Sequence, residues 1–296
     1  MDTAKCRAFV TSVETGSFSR AAERLNYTPS GVSQLVTSLE KDLGFPLLLR
    51  SQKGVVPTEN GRRMLSAVRE FLLQENRIHQ LAAEMKGLLV GSVTIASYSS
   101  IATHWLPSVI RVFQEAYPQI EIRLMEGIRQ EVTKWLSEKA ADLAFLSYKE
   151  PMAYDWIPLA EDRMLAVLPK THPLAEASAY PLKNCAYERF IMPALGRDDD
   201  VVAMLQETGV RPGIQFSTLE NFAAIAMIEQ GLGMSIMNEL ITQNWQADVV
   251  KLPLDPPQQI TLGMAIPSLE TASPAVKRFV KTAAELLTRR ETAPGF

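Results

Sequence analysis

The chain has 296 residues, of which 47% are hydrophobic and 21% charged, enough to bury a substantial core in two or three domains. Its net charge of -3 excludes a wholesale basic nucleic-acid coat, yet residues 1–90 carry 12 Lys+Arg against 9 Asp+Glu and the remainder 18 against 24. A mildly basic head on an acidic body is compatible with phosphate contact by the head alone.

Residues 4–14 predict a first helix with Cys6, Phe9, Val10 and Val13 on one side, ended by Gly16. In a second helix after Ser17, Phe18, Ala21, Ala22 and Leu25 face inward, and the two alanines permit close approach of a crossing helix. A third helix begins with Thr28 as its cap and Pro29 at its first position, and Gly44 terminates it. Val32, Leu35, Val36, Leu39 and Leu43 form its apolar stripe, while Ser30, Ser33, Gln34 and Thr37 form a polar one on another face. A helix held by one face and presenting short hydrogen-bonding side chains on the other suits a major-groove reader, although an ordinary surface helix looks the same.

Residues 45–58 predict a hairpin turning at Gln52-Lys53-Gly54, with Arg50 and Lys53 flanking a basic tip. From Glu59 to about Lys86 one long helix carries Leu65, Val68, Phe71, Leu72, Ile78, Leu81 and Met85 at three- and four-residue steps. With no globular core expected nearby for so long a stripe, it predicts self-association, packing on the downstream domain being the alternative.

Residues 87–91 form a hinge. Beyond it, strands at 93–96, 120–124 and 142–146 alternate with helices at 101–116 and 128–139, which reads as a parallel α/β sheet. A second such unit starts at 163–168 and continues through strands at 189–192, before 217, and at 234–237, with helices at 198–208 and 218–230. A strand at 260–266 and a helix at 274–290 follow. Crossings between the lobes are expected near Ala160–Met164 and Met264–Ser268. The two cysteines, Cys6 and Cys185, offer no C-x-x-C spacing and read as reduced thiols in a cytoplasmic protein. No membrane span, secretion signal, metal cluster or cofactor motif is expected.

The stretch from Phe9 through Gly61 resembles the winged helix-turn-helix of LysR-type transcriptional regulators. The likeness lies in Gly16-Ser17-Phe18, Ala21-Ala22, Leu25, Ser30 with Ser33, Leu39-Glu40, Leu43-Gly44 and Thr58 with Gly61. Leu106-Pro107, Phe113 before Pro118, Asp142-Leu143-Ala144, His172-Pro173-Leu174 and residues 229–237 extend it over nearly the whole chain. The resemblance implies an α-dominated winged head at 1–58, a linker and dimerisation helix at 59–87, and an α/β effector domain at 91–296. That domain would be two-lobed and like periplasmic binding proteins, with lobe 1 at about 91–162 and 267–296 and lobe 2 at about 163–266.

By position, Pro29, Ser30, Ser33, Gln34 and Thr37 are expected at base edges, and Ser17, Ser19, Arg20, Arg50 and Lys53 on the DNA backbone. The recognition face carries no cation of its own, which implies weaker direct readout and more reliance on the wing and on DNA bending.

The implied partners are operator DNA, further copies of the chain as a homodimer or homotetramer, RNA polymerase, and a small effector held between the lobes, an organic anion being one candidate. Candidate effector contacts are Ser97, Ser99, Ser100 and Ile101 at the start of the first body helix, and Ser147 and Tyr148 after the third strand. Across the cleft stand Met192, Arg197, Ser217 and Thr218. Ser and Thr at helix starts also serve as simple caps, and Arg197 could instead neutralise Asp198, Asp199 or Asp200. A family member with a vestigial pocket and a solute-binding protein are the alternatives. An enzyme would need a nucleophile, metal or nucleotide motif that the sequence does not offer.

Overall fold

The computed structural model describes residues 2–51, 54–86, 88–197, 199–243 and 245–291. Lys53, Gln52 and Gly87 therefore lie outside the described residues. In the head, α1 (Thr3–Thr15) opens on Asp2, whose carboxylate accepts from Ala4 N, and ends on Gly16 at a φ of 63°. Ser17 caps α2 (Phe18–Leu25), and the Thr28 hydroxyl accepts from Gly31 N to open α3 (Pro29–Leu43). β1 (Leu48–Ser51) and β2 (Gly54–Pro57) pair antiparallel as the wing. The Glu40 carboxylate accepts from Leu47 N at 2.7 Å and Leu48 N at 3.1 Å, so the wing's base is fastened to α3.

The long helix α4 (Glu59–Glu84) divides its apolar stripe. Leu65 and Val68, expected at a dimer interface, are buried in the head's own core with Phe9, Val32, Leu39 and Leu47, and Phe71 and Leu72 pack against that core. Periodicity identifies an apolar stripe but not its partner, and here the first half of the helix lies beside α1. Ile78, Leu81 and Met85 remain exposed. Gln80, by contrast, is buried, and its Oε1 accepts from Ala275 N in the body at 3.3 Å.

In the body, β3 (Gly91–Ser97) is followed by α5 (Ser99–His104) and α6 (Leu106–Ala116), which the sequence suggested as one helix. Pro107 lacks the amide a continuous helix needs and sits instead in the first turn of α6. β4 (Ile120–Glu126), α7 (Arg129–Ser137) and β5 (Leu143–Ser147) follow, and β3 pairs parallel with both β4 and β5. β6 (Asp155–Pro169) then runs 15 residues through both lobes.

The second lobe holds β7 (Tyr180–Pro181), β8 (Arg189–Met192), α8 (Asp199–Thr208), β9 (Gly213–Ser217), α9 (Asn221–Glu229), β10 (Ser235–Asn238), α10 (Glu239–Thr242) and β11 (Val249–Asp255). β12 (Gln259–Ile266) and α11 (Pro274–Glu291) return to the first lobe. The main sheet has the order β4-β3-β5-β12-β6-β11-β7, with β10 beside β6. It is mixed, because β12 runs antiparallel to β5 and β6, as do β10 and β11 to β6.

The return crossing lies between β11 and β12, where Met164 N donates to Gln258 O at 2.8 Å, and not at Met264–Ser268. Leu262, Met264 and Ile266 are accordingly buried in the first lobe with Phe113, Phe145 and Phe279. The strand belongs there because its pairing partner is the first half of β6. The second lobe has a separate core that includes Leu168, Tyr180, Phe190 and Ile236.

Asp142 joins β3 to β5. Its Oδ2 accepts from Thr94 N at 2.7 Å, and burial pushes its pKa up to about 6 from the usual 3.8. The folded protein thus keeps a proton that the unfolded chain has released across this interval. This contribution is complete below the unfolded value and is lost as pH rises through about 6. Asp142→Asn, which does not titrate, is therefore expected to be relatively more stabilising at pH 7.5 than at pH 4, by on the order of 2 kcal/mol. Chemical denaturation of both proteins at the two pH values measures it, and a pH-independent difference would refute it.

Candidate functional site

Two places gather functional side chains. On the head, Pro29, Ser30 and Gln34 are exposed along α3, and Ser19 and Arg20 along α2. Ser17 spends its hydroxyl on the α2 cap, accepting from Arg20 N at 3.4 Å. Ser33 and Thr37 are half-buried, and the group covering them is Arg50. Its Nη1 donates to Ser33 Oγ at 3.1 Å and its Nη2 to Thr37 Oγ1 at 2.8 Å. The guanidinium lies 5.2 Å from the Phe18 ring centre and 3.6 Å from Glu40 Oε2. The face that seemed uncharged in sequence therefore carries a cation brought back by the wing.

In the body a cleft of about 620 Å³ opens between the lobes. Of the candidate effector contacts, Ser99, Ser100 and Arg197 line it. Several other expected contacts do not. Ser97 is buried and donates to Tyr98 O, Ile101 belongs to the first lobe's core, and Met192 belongs to the second's. Tyr148 is exposed beside Trp156, their rings 5.4 Å apart. Ser217 ends β9 at the surface, and the Thr218 hydroxyl donates to Glu220 O in the turn before α9. The latter is the capping role that such residues commonly take. Helix α9 starts at Asn221, so it is Leu219 to Phe222 that reach the cleft.

Among the charged groups at the cleft that were not sequence candidates, two meet across it. Arg129, at the first position of α7, is buried against the last residue of β5, and its Nη2 donates to the Ser147 carbonyl and hydroxyl, each at 2.5 Å. Asp200 reaches Ser147 from the opposite lobe. Sequence could have flagged Arg129 by the helix-start argument applied to Ser99, since the expected helix began at 128. Trp245 is half-exposed and stacks on Phe222 with rings 5.8 Å apart and 6° from parallel. At the cleft's rear Asp162 accepts from the Asn238 amide and from Leu240 N, and burial pushes it up to about 6.

His172 is structural, its Nδ1 accepting from Leu174 N at 3.1 Å and its Nε2 lying 3.1 Å from Glu188 Oε1. Cys6 and Cys185 are buried free thiols in separate domains, and burial pushes Cys185 up to about 12. Among the described residues no three His, Cys, Asp or Glu side chains are grouped to hold a metal ion, and no helix is long and apolar enough to cross a membrane.

Head and body meet through the other end of α7. Arg69 Nη1 on α4 donates to Glu138 O and Oε2, each at 3.3 Å, and its Nη2 lies 3.7 Å from Glu14 in the head. Lys139 pairs with Glu70 at 2.9 Å.

Residues 4–62 match the family described as bacterial regulatory helix-turn-helix protein, lysR family, and residues 86–288 match the LysR substrate binding domain. The chain is 34% identical over 290 residues to the uncharacterized HTH-type transcriptional regulator YvbU of Bacillus subtilis, covering 97% of this chain and 99% of that one. It is 30% identical to the probable HTH-type transcriptional regulator LrrA of Synechococcus elongatus, covering 95% and 94%. Its fold is that of full-length OxyR C199D from Pseudomonas aeruginosa, with a TM-score of 0.77 at 20% identity over 97% of this chain and 98% of that one. Full-length CbnR in complex with its target DNA superposes with a TM-score of 0.64 at 19% identity, over 99% and 100%.

Proposed function

The chain belongs to the LysR family of transcriptional regulators, which are not enzymes, and from that premise we propose how it reads DNA and how a ligand reaches the reader. Ser30, Ser33, Gln34 and Thr37 of α3, with Pro29 at its tip, enter the major groove, and Arg50 accompanies them. Ser17, Ser19, Arg20 and Lys53 hold the phosphates on either side. The chain dimerises through the part of the α4 stripe that its own domains leave open, namely Ile78, Leu81 and Met85. A tetramer of two such dimers would set the spacing and bend of two operator sites, and through them polymerase recruitment.

The observation that carries the reading is the position of α7. One end places Arg129 in the interlobe cleft, and the other places Glu138 against Arg69 and the head. A nine-residue helix spans about 14 Å as a rigid rod, so a shift at the cleft is delivered to the head without any intervening loop. Thiol chemistry is a poor trigger by comparison, because a thiol held near 12 supplies little thiolate.

Selection of bound sequences from random duplex DNA tests the reading. Wild type is expected to enrich a two-fold symmetric site and to bind it with steep salt dependence. Ile78→Glu is expected to yield monomer by light scattering and at least about 10-fold weaker binding to that site, as loss of two-site avidity requires. Sequence-indifferent binding by wild type would defeat the proposal. Unchanged dimers in the variant would remove the stripe from it.

A further inference from the structure

Asp200 lies in the second lobe, on the first turn of α8, yet its carboxylate is spent on the first. Both oxygens sit on Ser147 Oγ, at 2.7 and 2.8 Å, and Oδ1 lies 3.9 Å from Arg129 Nη2. The Tyr98 hydroxyl stands 3.2 Å from the same Ser147 Oγ. Ser147 is fully buried, and only 9% of Arg129 is exposed. A guanidinium so far from water demands an anion, and beside the buried Ser147 hydroxyl and the half-buried Tyr98 hydroxyl a carboxylate is the group whose shape matches.

The segment leading to Asp200 is strained. Ala194 and Leu195 have φ of 48° and 55°, and Gly196 follows at 74°. Left-handed backbone is costly for a non-glycine residue, so two in succession persist only where their surroundings hold them. Ala194, Arg197 and Asp200 all line the cleft, so the strained turn is part of its wall.

We propose that Arg129, Ser147 and Tyr98 form a subsite for a ligand carboxylate, and that Asp200 is a built-in competitor for it. This rests on the cleft being the effector site and adds the chemistry of the effector. Beyond the subsite the walls carry Glu126, Glu131 and Glu220 against Arg197 alone, a balance that opposes further negative charge, so the ligand is a monocarboxylate with a neutral or cationic remainder. The exposed Phe222–Trp245 stack offers that remainder a flat apolar surface. Ligand entry lifts Asp200 off the first lobe, frees the 194–196 turn and changes the load on α7.

Acetate is the probe, applied to the full chain in carboxylate-free buffer. Asp200→Ala is expected to melt below wild type and to be restored by sodium acetate, saturably and by roughly 3–8 °C, while equal sodium chloride does nothing. Wild type, its subsite already filled, is expected not to respond. Asp200→Asn keeps the shape without the charge, so it folds where alanine fails and is expected to show an intermediate response.

A folded variant indifferent to acetate, or a wild type that responds as strongly as the variants, would overturn the proposal. Titrating the same proteins with the selected operator separates the two claims. Normal operator binding without an acetate response removes the subsite alone. An acetate response in a protein that binds DNA without preference removes the regulator reading and leaves the subsite standing.

Discussion

Replacing Gly61 with alanine is expected to unfold the winged head and to abolish specific DNA binding while leaving the body intact. A Cβ at this position would stand 2.1 Å from Leu47 O and 3.1 Å from Leu47 C. That peptide has nowhere to go. Leu47 O accepts from Thr58 N at 2.9 Å and from Thr58 Oγ1 at 3.3 Å, Leu47 N is held by Glu40, and the Leu47 side chain is wholly buried. Relief requires the first turn of α4 to leave the base of the wing, which opens the core around Leu47 and Leu65. The cost is about 3 kcal/mol or more, a large share of what a head of this size can hold. Amide hydrogen exchange resolved to the head, set beside the thermal transition of the body, would show it, with operator affinity falling at least about 100-fold. Wild-type protection in the head together with wild-type affinity would refute the argument.

Gly61 stood out in sequence only through the family resemblance, because the Leu47 carbonyl that excludes a Cβ there is brought in by the wing. The helix ends of the head, by contrast, are fixed by local chemistry. Thr28-Pro29 opens a helix, Gly16 and Gly44 end two, and Thr58 with Gly61 opens the linker, each through backbone groups a few residues apart. Alternation made most strands of the body legible, but not β7, β11 or the first half of β6, and α6 separated from α5 because Pro107 starts a helix as readily as it breaks one. What sequence concealed depends on chain segments meeting from a distance.

Alternation cannot say that β12 pairs with the first half of β6, so the lobe boundary shifted. The α4 stripe has one period and two destinations, the head for Leu65 and the open face for Ile78 and Met85, while the polar Gln80 between them docks on the body. In the cleft, reasoning from helix starts favoured hydroxyl residues, of which Ser99 and Ser100 stand on the cleft wall whereas Thr218 caps its own turn. Arg129 and Asp200 belong to different lobes and acquire meaning only from their meeting at Ser147. The same holds for Arg50 and the hydroxyls of α3.

Arg50→Ala is expected to weaken operator binding by about 10–100-fold, the range for removing one guanidinium from a groove. The side chain is half-exposed, so the change leaves the stability of the head nearly untouched. Its effect on DNA follows from where the guanidinium is held. Ser33 Oγ and Thr37 Oγ1 each take one N–H, Phe18 supports the plane, and Glu40 stands behind. Each Nη keeps a second N–H, and the pair can address the two acceptors on a guanine edge, the commonest bidentate contact in the major groove.

The sequence placed Arg50 on the phosphates, and the two roles differ in what they do to specificity. Removing a phosphate anchor weakens all duplexes alike, whereas removing a hydrogen bond to a base edge relaxes the preference at one position. We expect the second, together with a salt slope lower by about one charge. Arg50→Lys should restore the slope but not the preference, because one ammonium cannot span Ser33, Thr37 and a guanine edge together. Binding of Arg50→Ala to a set of operators varied at single base pairs decides the matter. Uniform weakening across the set would return Arg50 to the backbone and leave α3 to read bases with its hydroxyls and Gln34 alone.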